Sequence, residues 1–491
     1  MQKFTLSIDQ GTTNCRAILF DANHRVIDIE QKEFTQYFPK QGWVEHDALE
    51  IFEIQTAVIQ MLFSRNGIKS DYIKTIGITN QRETIVAWNK RTGLPVHKAI
   101  VWQDTRTSER CLDIKLDPDL SNYIHKTTGL IVDSYFSASK IEWLLTYCDE
   151  AKTALLNNEL LVGTIDSWLL WKFTGGLSHF TDVTNASRTM LFDINTLKWD
   201  EKLLDLFHIP ISILPQVKPS SFMFGNTDPL QFRNCCIPIT GIAGDQQASL
   251  FGHQCISPGM IKNTYGTGCF MLMNTGNKPI FSSNGLITTI AWQIGNDVIY
   301  ALEGSVFIAG AAIQWLRDNL GIIRHASESE ELAIKVQDNG GVYFVPAFAG
   351  LGAPYWEMNA RGAIFGLTRA SQKEHIARAA LESIAFQTLD VIEVMRSDSN
   401  LEIPSLFVDG GASVNNFLMQ FQSDILGLDI ARNNNSEITA LGAALLAERY
   451  FDEQESKYIN QYTNFSAKID FIKREKLKKG WQNAIKKVIA N

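Results

Sequence analysis

The chain has 491 residues, of which 45% are hydrophobic and 20% charged, and its formal net charge is -8. This length predicts two or three domains with sizeable cores. The negative charge argues against general binding to nucleic acid or an anionic membrane, which depends on clustered Lys and Arg. The seven cysteines include no C-x-x-C pair and no window is apolar enough to span a membrane. We therefore expect a cytoplasmic protein without disulfides, a zinc site or membrane insertion.

The first predicted element is a hairpin near the amino end. An apolar run over Phe4–Ile8 stops at Asp9, the chain crosses Gly11–Asn14, and a second apolar run covers Arg16–Phe20. This pattern predicts a strand, a tight turn and a returning strand. A carboxylate, a glycine that admits a close ligand and two hydroxyls together suit a magnesium-bound polyphosphate.

Further short strands are predicted to end in polar residues. The run Thr75–Thr79 is followed by N-Q-R-E, Ala99–Trp102 by Q-D, and Ile239–Ala243 by G-D-Q-Q. Open α/β sheets bind their ligands beyond the carboxyl ends of the strands. These three strand ends are therefore candidate parts of one site.

The second half of the chain is predicted to repeat the first. Residues Met260–Met273 indicate another strand, glycine turn and strand, and the dipeptide Asp-Gln at residue 9 recurs at residue 245. We expect two related domains, residues 1–253 and 254–491, that face a shared cleft. The intervening stretch from about residue 193 to 238, which is rich in proline, is predicted to be a linker or hinge.

Helical periodicity and capping residues complete an alternation of buried runs and helices that indicates an α/β fold. A strand is predicted at 406–408, and a helix after Ser413. The charged Lys-rich end of the chain is interpreted as a solvated helix face and not as a binding patch. The other predicted helices cover residues 48–63, 137–156, 164–173, 305–319, 373–395, 438–450 and 475–489.

The two common phosphate-binding fingerprints are absent from the sequence. No G-x-x-x-x-G-K-[ST] segment occurs, and no G-x-G-x-x-G follows the first strand. Three glycine turns at predicted strand ends stand in their place, at residues 11–13, 266–268 and 409–411. A single turn of this kind is commonly an ordinary loop, but three of them favour a phosphate site.

Eight segments resemble motifs of the FGGY carbohydrate kinases, and they are most similar to members that phosphorylate glycerol. The resemblance extends from residue 4 to about 450, with the motifs in the family order. It implies a two-domain actin-like ATPase fold, a duplicated ribonuclease H-like α/β unit whose interdomain cleft closes on ATP and Mg²⁺. The segments are DQGTTNCR at 9–16, NQRET at 80–84, WQDTRT at 102–107, YFSASK at 135–140, GDQQASLFG at 244–252, NTYGTGCF at 263–270, GAAIQWLRD at 310–318 and DGGASVNNFLMQ at 409–420.

The resemblance also implies residue roles. Asp245 would be the general base, and it would hold Mg²⁺ together with Asp9, a role that suits carboxylates. The groups implied to bind the nucleotide are Thr12, Thr13, Asn14, Arg16, Thr267, Gly310, Gln314, Gly411 and Asn415. The groups implied to bind glycerol are Arg82, Glu83, Trp102, Tyr135, Asp245, Gln246 and Phe270.

Family habit implies a homodimer or homotetramer. The chain departs from some bacterial members between Gly225 and Pro238, where Arg233 occurs without the glycines that accompany fructose 1,6-bisphosphate binding. Two other functions stay open: a kinase of another polyol or of a pentulose, and a non-catalytic ATP-binding protein of the actin-like class. The presence of Arg82, Glu83 and Asp245 counts against the second.

Overall fold

A continuous sheet of 13 strands forms the centre of the computed structural model, which describes residues 3–230, 232, 235–357, 359–452 and 458–490. Arg233 lies outside these ranges. The first half of the chain contributes β1 (Phe4–Gln10), β2 (Asn14–Phe20), β3 (Val26–Glu33), β4 (Ile73–Asn80), β5 (Ser221–Asn226) and β6 (Pro238–Gly244). The second half contributes β7 (Ile261–Tyr265), β8 (Cys269–Gly276), β9 (Ile287–Ile294), β10 (Asp297–Val306), β11 (Ser405–Asp409), β12 (Asp429–Asn433) and β13 (Tyr462–Phe465).

Helices cover the sheet and a smaller sheet extends the first half. The helices are α1 (Ala48–Arg65), α2 (Ser108–Lys115), α3 (Pro118–Thr128), α4 (Ser137–Tyr147), α5 (Asp149–Leu156), α6 (Ile165–Phe173), α7 (Val183–Ala186), α8 (Glu201–Leu206), α9 (Asp245–Gly252), α10 (Gly310–Asp318), α11 (Glu328–Ala333), α12 (Lys373–Ser399), α13 (Asn416–Leu426), α14 (Ile438–Arg449) and α15 (Phe471–Ile489). The smaller sheet contains Gln36–Tyr37, Glu45–His46, Ile85–Asn89, Leu94–Pro95, Ala99–Ile100 and Leu160–Thr164. Among the described helices, none has the length and apolar composition needed to cross a membrane.

Both halves contain the same strand arrangement, which confirms the expected duplicated fold. In the first half the order is β3-β2-β1-β4-β6, with β1, β4 and β6 parallel. In the second half the order is β10-β8-β7-β11-β12, with β7, β11 and β12 parallel. A single parallel bridge between Ser221 of β5 and Ile294 of β9 joins the two.

The topology corrects the repeat that the sequence suggested. The β1–β2 turn corresponds to the β7–β8 turn, as expected from the two glycine turns. Asp9 and Asp245, however, both belong to the first half, because Asp9 lies in β1 and Asp245 follows β6. The Asp-Gln dipeptide therefore does not mark the duplication.

Three predicted elements were wrong in extent or kind. The stretch 193–238 is not a linker, since it contains α8 and β5 and buries Leu203, Phe207 and Phe224. The single helix predicted over 137–156 is two helices, because Cys148 has an extended conformation between α4 and α5. Residues 305 and 306 belong to β10, and the helix after them begins at Gly310.

Helices α9 and α14 pack closely between the two halves. A Cβ at Gly442 would lie 1.8 Å from the carbonyl oxygen of Ala248, and one at Gly252 would lie 2.2 Å from that of Ile438. Both oxygens belong to helix backbone, which cannot swing aside as a side chain can. Glycine is therefore required at this helix crossing for close approach and not for an unusual dihedral angle.

Gly442→Ala is expected to lower the free energy of unfolding by about 3 kcal/mol, because the added methyl must separate two packed helices. Denaturant unfolding of purified protein measures the change. Gly295→Ala is the comparison, since no atom lies within 4 Å of its Cβ position and its φ of +57° adds backbone strain alone. Its expected cost is about 1 kcal/mol. Equal losses for the two variants would contradict a steric requirement at Gly442.

Candidate active site

The ends of three neighbouring parallel strands bring the predicted acidic residues together. Asp9 of β1 is paired with Thr79 of β4, and Gly244 of β6 is paired with Asn80. The residue after Gly244 is Asp245, so the two carboxylates lie at the same edge of the sheet. The charge of Asp245 accordingly raises the pKa of Asp9.

Asp9 is buried against a cation. Burial raises the pKa of this carboxyl to about 6; the neighbouring Arg16 lowers it and Asp245 raises it. The Nη1 atom of Arg16 lies 3.2 Å from Oδ2 of Asp9, and its Nη2 atom contacts Glu437 just before α14. Arg16 is therefore held between two carboxylates and links the halves of the chain.

The acidic pair fits the expected Mg²⁺. Within the described ranges, no three His, Cys, Asp or Glu side chains cluster as a complete metal cage. The side chain of Asp245 is 32% exposed, so water has access to the pair. Mg²⁺ commonly retains several waters and takes only one or two carboxylates from the protein. Asp9 and Asp245 are two carboxylates of the kind that this coordination requires, and their binding of Mg²⁺ stays a prediction.

The affinity for Mg²⁺ is expected to fall as the pH drops through about 6, because a protonated Asp9 no longer attracts a cation. The same shift has a consequence for stability. Since the pKa of Asp9 is raised from 3.8 to about 6 on folding, its ionisation destabilises the metal-free protein above about pH 6 and has no such cost below about pH 4.

Thermal unfolding with and without Mg²⁺ and ADP, from pH 5 to 8, measures both effects. The rise in Tm caused by Mg²⁺ should be largest above pH 6.5. Asp9→Asn should remove most of this dependence on pH. A metal-induced rise in Tm that is equally large at pH 5 and pH 8 would contradict the assignment of Asp9.

Four buried charged side chains form a network beside Asp245. The guanidinium of Arg82 donates to both carboxylate oxygens of Glu303, at 2.6 and 2.9 Å. Arg188 donates from Nε to Glu83 at 2.6 Å and from Nη2 to Glu303 at 3.0 Å. Although burial opposes ionisation, the charges of Arg188 and Arg82 lower the pKa of Glu303 to about 2. The network therefore pairs two guanidinium groups with two carboxyl groups, and burial raises the pKa of the second carboxyl group, Glu83.

This network orients the groups predicted to bind substrate. Nε of Arg82 lies 3.4 Å from Oδ1 of Asp245 and 3.9 Å from Oε1 of Glu83. Glu83 has a left-handed backbone with φ of +63°, and its carbonyl oxygen accepts a hydrogen bond from Ser137. A strained, fully buried carboxylate is retained only where the surroundings hold it in place.

Aromatic rings line the same region. The rings of Trp102 and Tyr135 meet edge to face with centroids 5.4 Å apart. The indole Nε1 of Trp102 donates to Oγ1 of Thr12 at 3.1 Å, which connects this wall to the first glycine turn. Phe270 is half-buried on β8, opposite Thr264 of β7 and Ser305 of β10.

Gln246 is held by the second half of the chain. Its backbone amide donates to Oδ1 of Asp245 at 2.7 Å, and its side-chain oxygen accepts from Nζ of the buried Lys262. Lys262 also donates to Oγ1 of Thr264 at 2.9 Å. Burial lowers the pKa of Lys262 to about 8, while Asp409 and Asp245 oppose the shift.

The residues predicted to bind the nucleotide lie on one glycine turn of the first half and two of the second, or beside these turns. Thr12 and Asn14 are partly exposed and Thr13 is exposed, in the turn that the Gly11 amide closes by donating to the carbonyl oxygen of Asn14 at 3.0 Å. Thr267 is exposed in the β7–β8 turn. Nothing lies within 4 Å of a Cβ built at Gly411, so a ligand can approach this backbone closely.

Two of the predicted nucleotide residues, Gly310 and Asn415, have structural roles of their own. A Cβ at Gly310 would lie 2.6 Å from the carbonyl oxygen of Gly266, so this glycine lets α10 pack on the second glycine turn. The side-chain oxygen of Asn415 caps α13 by accepting from the Leu418 amide at 2.9 Å. Gln314 is exposed on α10. Their contacts with nucleotide stay predictions.

The sequence reasoning missed four buried charged residues of this region: Arg188, Glu303, Lys262 and Lys140. Lys140 donates from Nζ to the carbonyl oxygens of Ser134, Tyr135 and Phe136, which anchors the loop of Tyr135. A charged residue within a strand could have revealed Glu303 and Lys262, since such residues are buried only when paired. No comparable local signal marks Arg188.

Comparison with protein-family models assigns both halves of the chain. The N-terminal domain of the FGGY family of carbohydrate kinases matches residues 4–252, and the C-terminal domain matches residues 261–449. The chain belongs to the FGGY family. The family predicted from the eight motifs is thereby confirmed, along with the kinase class.

Several FGGY kinases are similar to this chain over nearly their whole length. Glycerol kinase of Carboxydothermus hydrogenoformans is 56% identical over 99% of this chain and 98% of that protein. Glycerol kinase of Treponema denticola is also 56% identical, over 99% of each chain. The crystal structure of Plasmodium falciparum glycerol kinase with ADP has a TM-score of 0.93 at 38% identity, covering 99% of this chain and 98% of that one.

Proposed function

We propose that this FGGY kinase transfers the γ-phosphoryl group of ATP to glycerol, giving sn-glycerol 3-phosphate and ADP. The observation that carries the proposal is the placement of Arg82 and Glu83 beside Asp245, just beyond the ends of β4 and β6, with Nε of Arg82 3.4 Å from Oδ1 of Asp245. A triol hydroxyl both donates and accepts hydrogen bonds, so a cation and a carboxylate side by side satisfy it at both ends. The identity to glycerol kinases over the full chain supports this choice of substrate.

In this mechanism Asp245 accepts the proton of the attacking hydroxyl. Its carboxylate is partly exposed at the start of α9, where a substrate hydroxyl can reach it, and Nε of Arg82 lies 3.4 Å from its Oδ1. Arg82 is itself oriented by the two bonds to Glu303. Trp102 and Phe270 would cover the carbon face of the triol and limit the length of the acceptor.

The nucleotide would lie between the glycine turns. Thr12, Thr13, Asn14 and Arg16 would contact the phosphates from the first half and Thr267 from the second, with Gln314, Gly411 and Asn415 toward the adenosine. Mg²⁺, held by Asp9 and Asp245 largely through water, would neutralise phosphate charge. Closure of the two halves would exclude water, which otherwise competes as the phosphoryl acceptor.

We also propose a cytoplasmic homodimer or homotetramer. The seven cysteines are all free, and five of them are buried, as suits a reducing compartment. Light scattering on the purified protein measures the oligomeric state, and a monomer at working concentration would exclude the proposed assembly.

ADP release in the presence of ATP and Mg²⁺ tests the substrate. We expect glycerol to be used with a kcat/KM at least about 10²-fold higher than erythritol or xylulose, because the longer acceptors need space beyond the aromatic wall. A preference for xylulose or erythritol would show another FGGY kinase activity. Binding of ADP without turnover of any of the three acceptors would support the non-catalytic alternative.

A further inference from the structure

The helix that begins with Asp245 follows a strand of the first half, but a carboxylate of the second half holds it. Asp409, the last residue of β11, accepts a hydrogen bond from Oγ of Ser249 at 2.7 Å. The same oxygen, Oδ2, lies 3.0 Å from Nε2 of His253. All three side chains are buried, so water does not compete for these contacts.

The spacing of these residues makes the contact relevant to catalysis. Asp245, Ser249 and His253 follow one another at intervals of four residues and therefore lie along one side of α9 and its end. Lys262 of β7 contacts Gln246 on the same helix, as described above. Two neighbouring strands of the second half, β7 and β11, thus reach the helix that carries the proposed base.

Asp409 directly precedes the predicted nucleotide turn in the chain. Gly410 follows it directly, with φ of +89°, and a Cβ there would lie 2.5 Å from the carbonyl oxygen of Tyr265. Gly411 is open to a ligand. A nucleotide on this turn would therefore be one or two residues away from the carboxylate that holds α9.

We propose that Asp409 is a positioning residue that couples nucleotide binding at the Gly410–Gly411 turn to the orientation of Asp245 through α9. This inference rests on the proposed function, because it assigns Asp245 as the base. A helix transmits a displacement along its axis as a rigid body, and small misplacement of a catalytic group is costly to the rate. Nucleotide and glycerol should therefore bind synergistically, and each should gain the same factor from the other.

Calorimetric titration of glycerol, with and without saturating ADP and Mg²⁺, measures this synergy. In the unaltered protein we expect ADP to tighten glycerol binding by about fivefold or more. Asp409→Asn should leave glycerol affinity without nucleotide within about twofold, remove most of the ADP effect and lower kcat by about tenfold or more. Ser249→Ala removes one contact and leaves the carboxylate of Asp409 intact. It should therefore reduce the ADP effect and kcat as well, but by less than Asp409→Asn.

Asp390→Asn is the matched control. Asp390 is a buried aspartate of the same half, and it accepts a hydrogen bond from Nε1 of Trp481 at 2.8 Å, away from α9. This variant should retain the ADP effect even where its Tm falls. If Asp409 only stabilised the fold, Asp409→Asn would likewise retain the ADP effect on glycerol binding while its Tm fell.

Two outcomes overturn the inference. One is that ADP does not change the glycerol affinity of the unaltered protein. The other is that Asp409→Asn retains the full effect of ADP on glycerol affinity. If Asp409→Asn does not fold, the titration of Ser249→Ala tests the inference instead. An unchanged ADP effect in Ser249→Ala would then contradict it. Failure of the proposed function is distinguishable, since the unaltered protein would then not phosphorylate glycerol at all.

Discussion

Asp245→Asn is expected to lower kcat for glycerol phosphorylation by about 10³-fold, because a positioned general base contributes roughly 10²–10⁴ to the rate. The asparagine retains an oxygen that can accept from the Gln246 amide, which lies 2.7 Å from Oδ1, so α9 should still form. Arg82 and its bonds to Glu303 are not altered. Steady-state kinetics give the loss of kcat, and ADP titration should show a dissociation constant within a few-fold of that of the unaltered protein.

A helix-starting aspartate with no proposed chemistry provides the control. Asp117 caps α3, where its Oδ1 accepts from the amides of Asp119 and Leu120 at 3.0 Å each. Asp117→Asn should leave kcat unchanged. If Asp245→Asn retained ordinary turnover as well, Asp245 would be a helix cap and not the base. If Asp245→Asn lost ADP binding as well as turnover, the main role of Asp245 would instead be to bind the nucleotide and Mg²⁺.

Glu303→Gln is expected to cost about 3–5 kcal/mol of unfolding free energy and to weaken glycerol binding. Glu303 is the carboxylate that both Arg82 and Arg188 contact, and it is fully buried. Without its charge, Glu83 is the only fully buried carboxyl group left beside the two guanidinium groups, and an uncompensated buried charge is strongly destabilising. Arg82 would also lose the paired contact that sets its orientation toward Asp245.

Denaturant unfolding and glycerol titration measure these two effects. Glu159→Gln is the comparison, since Glu159 pairs at 2.7 Å with Arg91, whose side chain is 73% exposed. An exposed pair of this kind contributes little, so the midpoint of unfolding should hardly move. A Glu303→Gln protein as stable as the Glu159→Gln protein would show that the buried network is not required for folding.

Much of the site was predictable because its residues follow short apolar strands directly in the sequence. Asp9, Arg82 and Asp245 each occur at a strand end, and parallel strands place their carboxyl ends along one edge of a sheet. The glycine turns were recognisable for a similar local reason. Their meaning depended on the motif resemblance, since any one turn is compatible with an ordinary loop.

The order of strands could not be predicted from the local pattern. Asp9 and Asp245 are far apart in the chain, and their shared dipeptide suggested corresponding positions in two domains. They instead lie together in one half, because β6 pairs with β4 and β4 pairs with β1. Pairing between strands depends on packing and on the connections between them, which two residues cannot encode.

The sequence by itself determined the α/β class, the duplication, the glycine turns and the family. Those features depend on periodicity, on turn residues and on contiguous motifs, all of which are local. Only the tertiary structure decided which charges meet: Arg188 and Glu303 around Arg82, Lys262 on Gln246, and Asp409 on the helix of Asp245. A buried charge is stable only beside its partner. Each of these partners comes from a distant part of the chain, so only folding brings them together.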